Sequence, residues 1–197
     1  MLEEIKMTLY DLIVSRRTIR QFKPDPVSKE VLKKLVNVAR LAPSGANLQP
    51  LEFIVVDDEE IRKQIFACLR WAAYVAPEGD PKSGHEPVAY MVNLVNTKIR
   101  DRGFERDIGA AVENMILAAL EEDIGSCWVD TIDRSKVQEI LNIPEEYKID
   151  SILALGYTDE KPILEEMKES VKYWKDIEGK LHVPKRKLED VIHFNKF

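Results

Sequence analysis

Three polar clusters in this 197-residue chain are not demanded by ordinary structure. Arg16-Arg17-Thr18-Ile19-Arg20 packs three guanidinium groups and a hydroxyl into five residues, just ahead of Pro24 and Pro26. Prolines so close together prescribe extended backbone, and in extended backbone Arg16, Thr18 and Arg20 face one way. Guanidinium forks suit phosphate, and they also suit a planar ring that bears carbonyls. Pro43-Ser44-Gly45-Ala46-Asn47-Leu48-Gln49-Pro50 sets a hydroxyl and two amides among turn formers, where they can read the polar edge of a ligand. Lys185-Arg186-Lys187 gathers three cations in a chain of net charge −6, enough to neutralise a phosphate. Each cluster also has a plainer reading. These are a solvated basic patch, a capping loop with Gly45 left-handed and Asn47 closing a turn, and a basic tail.

Other chemistry is missing. The eight glycines form no GxGxxG, and the chain has neither a phosphate-binding GxxxxGK[ST] nor a GxSxG nucleophile elbow. His85, His182 and His193 share no metal-ligand spacing with one another or with cysteine. Cys127, between Ser126 and Trp128 in a strand-like run, reads as a small buried hydrophobe rather than a nucleophile. The acidic runs Asp57–Glu60 and Glu145-Glu146 read as partners of helix N-termini rather than as an acid/base pair.

Composition narrows the class. With 45% apolar and 32% charged residues, the chain is globular and long enough for one domain with its own core. Unbroken apolar runs such as Met115–Leu120 reach only six residues, whereas a membrane-spanning helix needs about 20 residues. Met-Leu-Glu-Glu-Ile-Lys does not read as a secretory signal. Cys68 and Cys127 form no CxxC, so no disulfide is expected and a reducing cytoplasm is the expected location. Net negative charge argues against a nucleic-acid binder.

Periodicity supplies the elements that must position the clusters. Ile5, Leu9, Leu12 and Ile13 predict a helix over 3–15. Ser28 caps a second helix to about Leu41, with Val27 stapled to Leu32, and Pro43-Ser44-Gly45 ends it. Phe53–Val56, Val88–Val95, Ser126–Val129 and Ser151–Tyr157 read as strands. Asp57/Asp58 starts a helix to about Ala73, and Asp133 starts one ending near Asn142. Gly109–Glu122 is apolar nearly all round, which places it at the domain centre or a subunit interface. Residues 163–176 read as an amphipathic helix, and Leu181–Pro184 as a short extended piece. Helices therefore pack on a sheet of about four strands. The tail carries Val191, Ile192, Phe194 and Phe197, which call for a partner surface.

In this order and spacing, RRTIRQF, PSGANLQP, the Gly109–Ala119 helix, the strand after Gly125 and the basic residues before LEDVIHFNKF resemble the FMN-dependent nitroreductase family. The resemblance covers nearly the whole chain. It implies an α+β three-layer sandwich, with a central, mostly antiparallel sheet of four to five strands flanked by helices. It also implies a single domain over 1–197 in an entwined homodimer, with a tail from about 181 to 197 wrapping the partner subunit. FMN would sit at the dimer interface. NAD(P)H would donate electrons, and a nitroaromatic, quinone or related small acceptor would take them in ping-pong fashion. Dehalogenation, flavin reduction, flavin cleavage and plain FMN binding are the alternatives. Chemistry carried by the flavin fits a chain with no acid/base machinery of its own.

The resemblance also assigns residues. Arg16, with Arg17 and Thr18 beside it, would grip the phosphate. Arg20 would approach the N1/C2-carbonyl side of the flavin ring and support its negative charge. Pro43, Ser44, Gly45, Asn47 and Gln49 match the loop that reaches the flavin from the other subunit. Val129, Asp130 and Thr131 lie in the segment whose backbone flanks the ring. Lys185, Arg186 and Lys187 match the cations at the phosphate. Thr18 stands where serine is usual and Lys187 where arginine is common. The 71–104 stretch, which in the family helps cover the flavin, carries no matching signature.

Overall fold

The computed structural model describes residues 8–197. Helix α1 (Leu9–Ser15) opens on a reciprocal cap. The Thr8 hydroxyl accepts from the Asp11 N–H, and the Asp11 carboxylate accepts from the Thr8 N–H. Helix α2 (Lys29–Arg40) is capped by Ser28, whose hydroxyl accepts from the Val31 N–H at 3.2 Å. Then follow β1 (Leu51–Val56), α3 (Glu59–Ala67), β2 (Ala89–Asn96), α4 (Glu105–Glu121), β3 (Ile124–Val129), α5 (Arg134–Leu141) and β4 (Tyr147–Tyr157). The sheet order is β1-β2-β4-β3, with every neighbouring pair antiparallel.

β2 and β4 are the inner strands, buried on both faces, which is why both are nearly continuous apolar runs. Their side chains alternate between two cores. Met91, Val95, Leu153 and Leu155 pack with Leu32, Leu35 and Ala39 of α2 and with Ala111, Met115 and Ala119 of α4. Tyr90, Val92, Leu94, Ile152 and Ala154 pack with Ile65 of α3 and Val137 of α5. The result is the expected three-layer sandwich. β4 carries one extra residue, Asp150, opposite Asn93–Leu94, and the bulge keeps both faces in phase. The Asn93 amide, fully buried beside it, donates to the Ser151 hydroxyl at 3.1 Å.

Leu181–Pro184 is extended as expected, within β7, but other segments depart from expectation. Residues 163–176 are not a helix. They contribute β5 (Ile163–Glu166) and β6 (Trp174–Lys175), joined to β7 (Leu181–Lys185) in a second sheet ordered β5-β7-β6. Helix-favouring Lys and Glu gave the segment its helical look. Strand pairing with β7 and stacking of Trp174 on His182 override that weak propensity. Helix α3 ends at Ala67, well short of Ala73, because residues 68–70 pair instead with 131–133. The Arg70 N–H donates to Thr131 O at 3.0 Å, and the Asp133 N–H donates to Cys68 O at 2.9 Å. Glu145 and Glu146 precede β4 rather than a helix, and Glu146 pairs with Lys98 at 3.1 Å. Helix α4 starts four residues before Gly109, with Glu105 and Asp107 in its first turn. Ile5 and the start of the first predicted helix lie outside the described residues. Among the described residues, no helix is long and apolar enough to cross a membrane.

Candidate functional site

The arginine-rich segment is extended, as its prolines require, and it is tied to the end of the main sheet. The Ile19 N–H donates to Ser126 O at 2.9 Å and the Lys23 N–H to Tyr157 O at 2.8 Å, while the Phe22 N–H donates to His85 O at 3.0 Å. Thr18 bridges to Ser126 and Phe22 to Thr158. Glycine makes this approach possible. A β-carbon on Gly125 would lie 2.9 Å from Ile19 Cβ, and one on Gly156 would lie 3.0 Å from Phe22 Cδ1. The Glu160 carboxylate accepts from the N–H groups of Arg20 and Gln21. The buried Gln21 side chain pins the 80–82 loop, donating to Asp80 O at 2.9 Å and accepting from the Lys82 N–H at 3.2 Å. With the backbone so held, the side chains of Arg16, Arg17 and Arg20 are half-buried.

Arg20 enters a cleft of about 330 Å³ that Arg70, Trp71, Cys127, Trp128, Val129, Asp130 and Thr131 also line. Two donors there are buried without an acceptor, Arg20 Nε and Trp71 Nε1. Unsatisfied buried donors are costly, and a bound acceptor would satisfy them. The Arg20 guanidinium lies 5.2 Å from the Tyr173 ring centre. Burial pushes the Cys127 thiol up to about 11, so it stays protonated and inert at neutral pH.

Arg16 and Arg17 line a neighbouring cleft of about 240 Å³ with Ser126, Glu160 and Lys161. Arg17 donates to Val14 O at 2.9 Å and to Arg16 O, yet its Nε is buried without a partner. Burial first, then the Arg16 charge, lowers its pKa. The carboxylate paired with Arg16, that of Glu113, is 3.9 Å away. These cations are poorly compensated, and an anion between them would relieve both costs. A separate cleft of about 430 Å³ beside Arg62 and Tyr90 holds none of the predicted residues.

The Pro43–Gln49 loop is exposed and strained. Ala46, Asn47 and Gln49 have φ of 52°, 56° and 51°; asparagine tolerates this region, while Ala46 and Gln49 each cost roughly 1–2 kcal/mol there. It is held by a bond from the Gly45 N–H to Asp107 Oδ1 at 3.1 Å and one from the Gln49 N–H to the Ser44 hydroxyl at 3.0 Å. Asp107 is itself buried and paired with Arg100 at 3.1 Å. Among the described residues, no hydrogen bond or ion pair joins this loop to Arg16–Arg20 or to 129–131.

Nor does one join Lys185, Arg186 or Lys187 to Arg16. Lys187 pairs with Glu166 at 3.0 Å, Arg186 donates to Asp190 O, and Lys185 is exposed at the end of β7. Within one chain, then, the structure groups Arg20 with Val129, Asp130 and Thr131, and Arg16 with Arg17. It leaves the 43–49 loop and the basic tail apart. Arg70, Trp71, Glu160, Lys161 and Tyr173 escaped the sequence reading. They lie far from the clusters in the chain, and no local pattern marks them.

Residues 13–157 match the Nitroreductase family. The chain belongs to that family. Nitroreductase-family proteins are oxidoreductases. A protein of Archaeoglobus fulgidus provisionally named an NADH dehydrogenase/NAD(P)H nitroreductase is 33% identical over 166 residues, covering 78% of this chain and 88% of its own. An iodotyrosine deiodinase of Thermotoga neapolitana is 30% identical over 167 residues, covering 77% and 89%. In three dimensions, an FMN-dependent nitroreductase of Clostridium difficile superposes with a TM-score of 0.69 at 26% identity, over 94% of this chain and 98% of that one.

Against that background, the buried donors with no acceptor, Arg17 Nε, Arg20 Nε and Trp71 Nε1, fit a flat ligand that carries carbonyls and a phosphate. Arg20 and Trp71 would meet ring acceptors, and Arg16 and Arg17 a phosphate.

Proposed function

We propose that this chain is an FMN-dependent oxidoreductase that takes electrons from NAD(P)H and passes them to a nitroaromatic, quinone or related small acceptor. The observation that carries the reading is the pair of clefts beside β3, one with buried, unpartnered donors and one with two adjacent arginines met by a carboxylate only at 3.9 Å. Bound FMN would supply the two-electron chemistry. Arg16, Arg17 and the Thr18 hydroxyl bind its phosphate end. Arg20 presents a fixed cation to the ring, held in place because Glu160 and Ser126 fix its backbone. The backbone of Val129, Asp130 and Thr131 lines the ring edge.

Pro43, Ser44, Gly45, Asn47 and Gln49 serve the site of a second copy. The reading of this chain as a homodimer is supported by the loop's separation from Arg20 in a single chain. It is supported too by the exposed apolar side chains of the tail, where Phe194 is 80% and Phe197 106% exposed. Lys185 and Arg186 reach the phosphate with the tail, and Lys187 joins them only on leaving Glu166.

The kinship with an iodotyrosine deiodinase and, at 27% identity, with a 5,6-dimethylbenzimidazole synthase of Rhodobacter capsulatus favours a second reading, in which the same residues serve another flavin reaction. The test is anaerobic. Protein loaded with FMN should lose its visible flavin band on adding NAD(P)H and regain it with one acceptor from a panel that includes nitroaromatics, quinones and halogenated phenols. Failure of NAD(P)H to bleach a fully loaded protein overturns the proposal, and the acceptor that restores the band separates the two readings.

A further inference from the structure

Outside the arginine clefts, the most unusual arrangement of charged groups is in the small second sheet. The His182 ring sits between two carboxylates, with Nδ1 3.1 Å from Glu165 Oε2 and Nε2 3.2 Å from Asp176 Oδ2. It stacks on Trp174 with ring centres 4.1 Å apart and planes 15° from parallel. The indole N–H donates to the other Glu165 oxygen at 2.8 Å. The second Asp176 oxygen accepts the N–H groups of Glu178 and Lys180 at 2.9 and 2.8 Å.

A neutral imidazole has one N–H. It can donate to one of these carboxylates and must turn a lone pair toward the other. The double contact is therefore satisfied only by the imidazolium. The groups facing His182 are Glu165 from β5, Trp174 from β6 and Asp176 just beyond it. Lys168 lies near Glu165, and on the β6–β7 turn Lys180 pairs with Glu178 at 2.7 Å.

What this cluster holds is the residue next to Trp174. β6 is two residues long and pairs only with β7, at Trp174–His182 and Lys175–Leu181. Just ahead of it, Tyr173 lies over the Arg20 guanidinium, 5.2 Å from ring centre to carbon, and packs on Tyr74 at 5.0 Å. Lys175 donates to Glu78 O at 2.6 Å, and Lys172 lies 5.6 Å from the Tyr74 ring. The small sheet thus reaches across to the 74–78 loop and covers one side of Arg20.

We propose that β5-β7-β6 is a pH-sensitive latch: with His182 protonated it holds Tyr173 across Arg20, and loss of that proton loosens β6 and uncovers Arg20. Tyr173 is the gating residue and His182 acts through it. The latch itself is independent of what binds. Its consequence for flavin entry rests on the function proposed above. Burial opposes the charged ring, but the hydrogen bonds to Asp176 and Glu165 outweigh it and hold the His182 pKa above its ordinary value. The stabilisation is therefore complete below the ordinary histidine value of about 6.5 and is lost as pH rises through the higher folded value. The latch is closed at the acid end and open at the alkaline end.

The test uses the full chain, with histidine rings, tyrosine rings and tryptophan indoles isotope-labelled and followed by NMR from acid to alkaline pH. His182→Gln, Tyr173→Phe and Trp174→Phe assign the signals. The wild-type titration needs no variant to fold. The Tyr173 ring and the Trp174 indole are expected to shift with the His182 midpoint, which lies above that of a free histidine, and to be flat in His182→Gln. In parallel, stopped-flow quenching of FMN fluorescence should show association rising about tenfold across that midpoint in wild type, the effect of one charged contact of ~1.4 kcal/mol. The rate should be flat in His182→Gln. A Tyr173 signal that ignores the His182 midpoint overturns the latch, as does an FMN rate with the same pH dependence in His182→Gln. Absence of FMN binding at every pH overturns the flavin reading instead, and the Tyr173 signal still decides the latch.

Discussion

Replacing Gly125 with alanine places a methyl group against the body of Ile19. The new β-carbon would stand 2.8 Å from Ile19 Cγ1, 2.9 Å from its Cβ and 3.0 Å from its Cγ2. No rotamer change relieves a collision with Cβ itself, so the backbone must move. The segment that moves is the one whose Ile19 N–H bonds Ser126 O and whose next residue is Arg20. Overpacking of this kind costs about 1–3 kcal/mol. In a chain of this size, that lowers the melting temperature by about 2–4 °C for each kcal/mol. Arg20 should also lose aim at its ligand, weakening FMN about tenfold if one charged contact of ~1.4 kcal/mol is lost. The assay is a double-mutant cycle with Ile19→Ala, reading urea midpoints and FMN dissociation constants. Ile19→Ala alone leaves a cavity and costs about 2–5 kcal/mol; it removes the contacts with Cγ1 and Cγ2 but keeps the Cβ that would stand 2.9 Å from the new methyl. The cost of Gly125→Ala should therefore fall, without vanishing, in the Ile19→Ala background. An unchanged midpoint and FMN affinity in Gly125→Ala, or strictly additive costs, would refute the packing argument.

Arg20→Ala should weaken FMN by about 10- to 100-fold, the cost of losing a charged hydrogen bond, and Arg20→Lys should recover only part of it; quenching of flavin fluorescence measures both. Trp71→Phe keeps the ring but removes the buried N–H, and should weaken FMN by about fivefold, or ~1 kcal/mol, with little change in melting temperature. Cys127, buried and held protonated by a pKa of about 11, should resist iodoacetamide in the native protein at about pH 8 and react once urea exposes it; mass spectrometry of the labelled peptide checks this. Removing residues 188–197 should turn a dimer into a monomer by light scattering and abolish FMN retention, and a truncated chain that still dimerises and keeps its flavin would contradict the role given to the tail.

Legibility followed the range of the interactions. Helix starts at Ser28, Asp58 and Asp133 could be read because a cap is a bond between residues three apart. The two inner strands showed in largely apolar runs, broken in β2 by Asn93, since both their faces are buried. The 163–176 segment looks helical in sequence, but its fate depends on β7, whose His182 binds Glu165 and stacks on Trp174. The end of α3 is equally hidden in the sequence, since 68–70 is claimed by 131–133. Trp71 and Tyr173 carried no local sign of function, because what singles them out is the cleft they share with, or cover over, Arg20.

The sequence by itself determined the mixed α and β class, because caps and apolar periodicity are written in neighbouring residues, and the ordered motifs from RRTIRQF to the basic tail pointed to the family by resemblance. Only the tertiary structure decided that Arg16 and Arg20 open into two adjacent clefts, that the 43–49 loop stands apart from both, and that Tyr173 lies over Arg20 one residue before the tryptophan stacked on a histidine between two carboxylates. Those relations join residues up to 153 positions apart, as between Arg20 and Tyr173, and no local pattern encodes a contact that exists only after β3, β4 and the small sheet have packed.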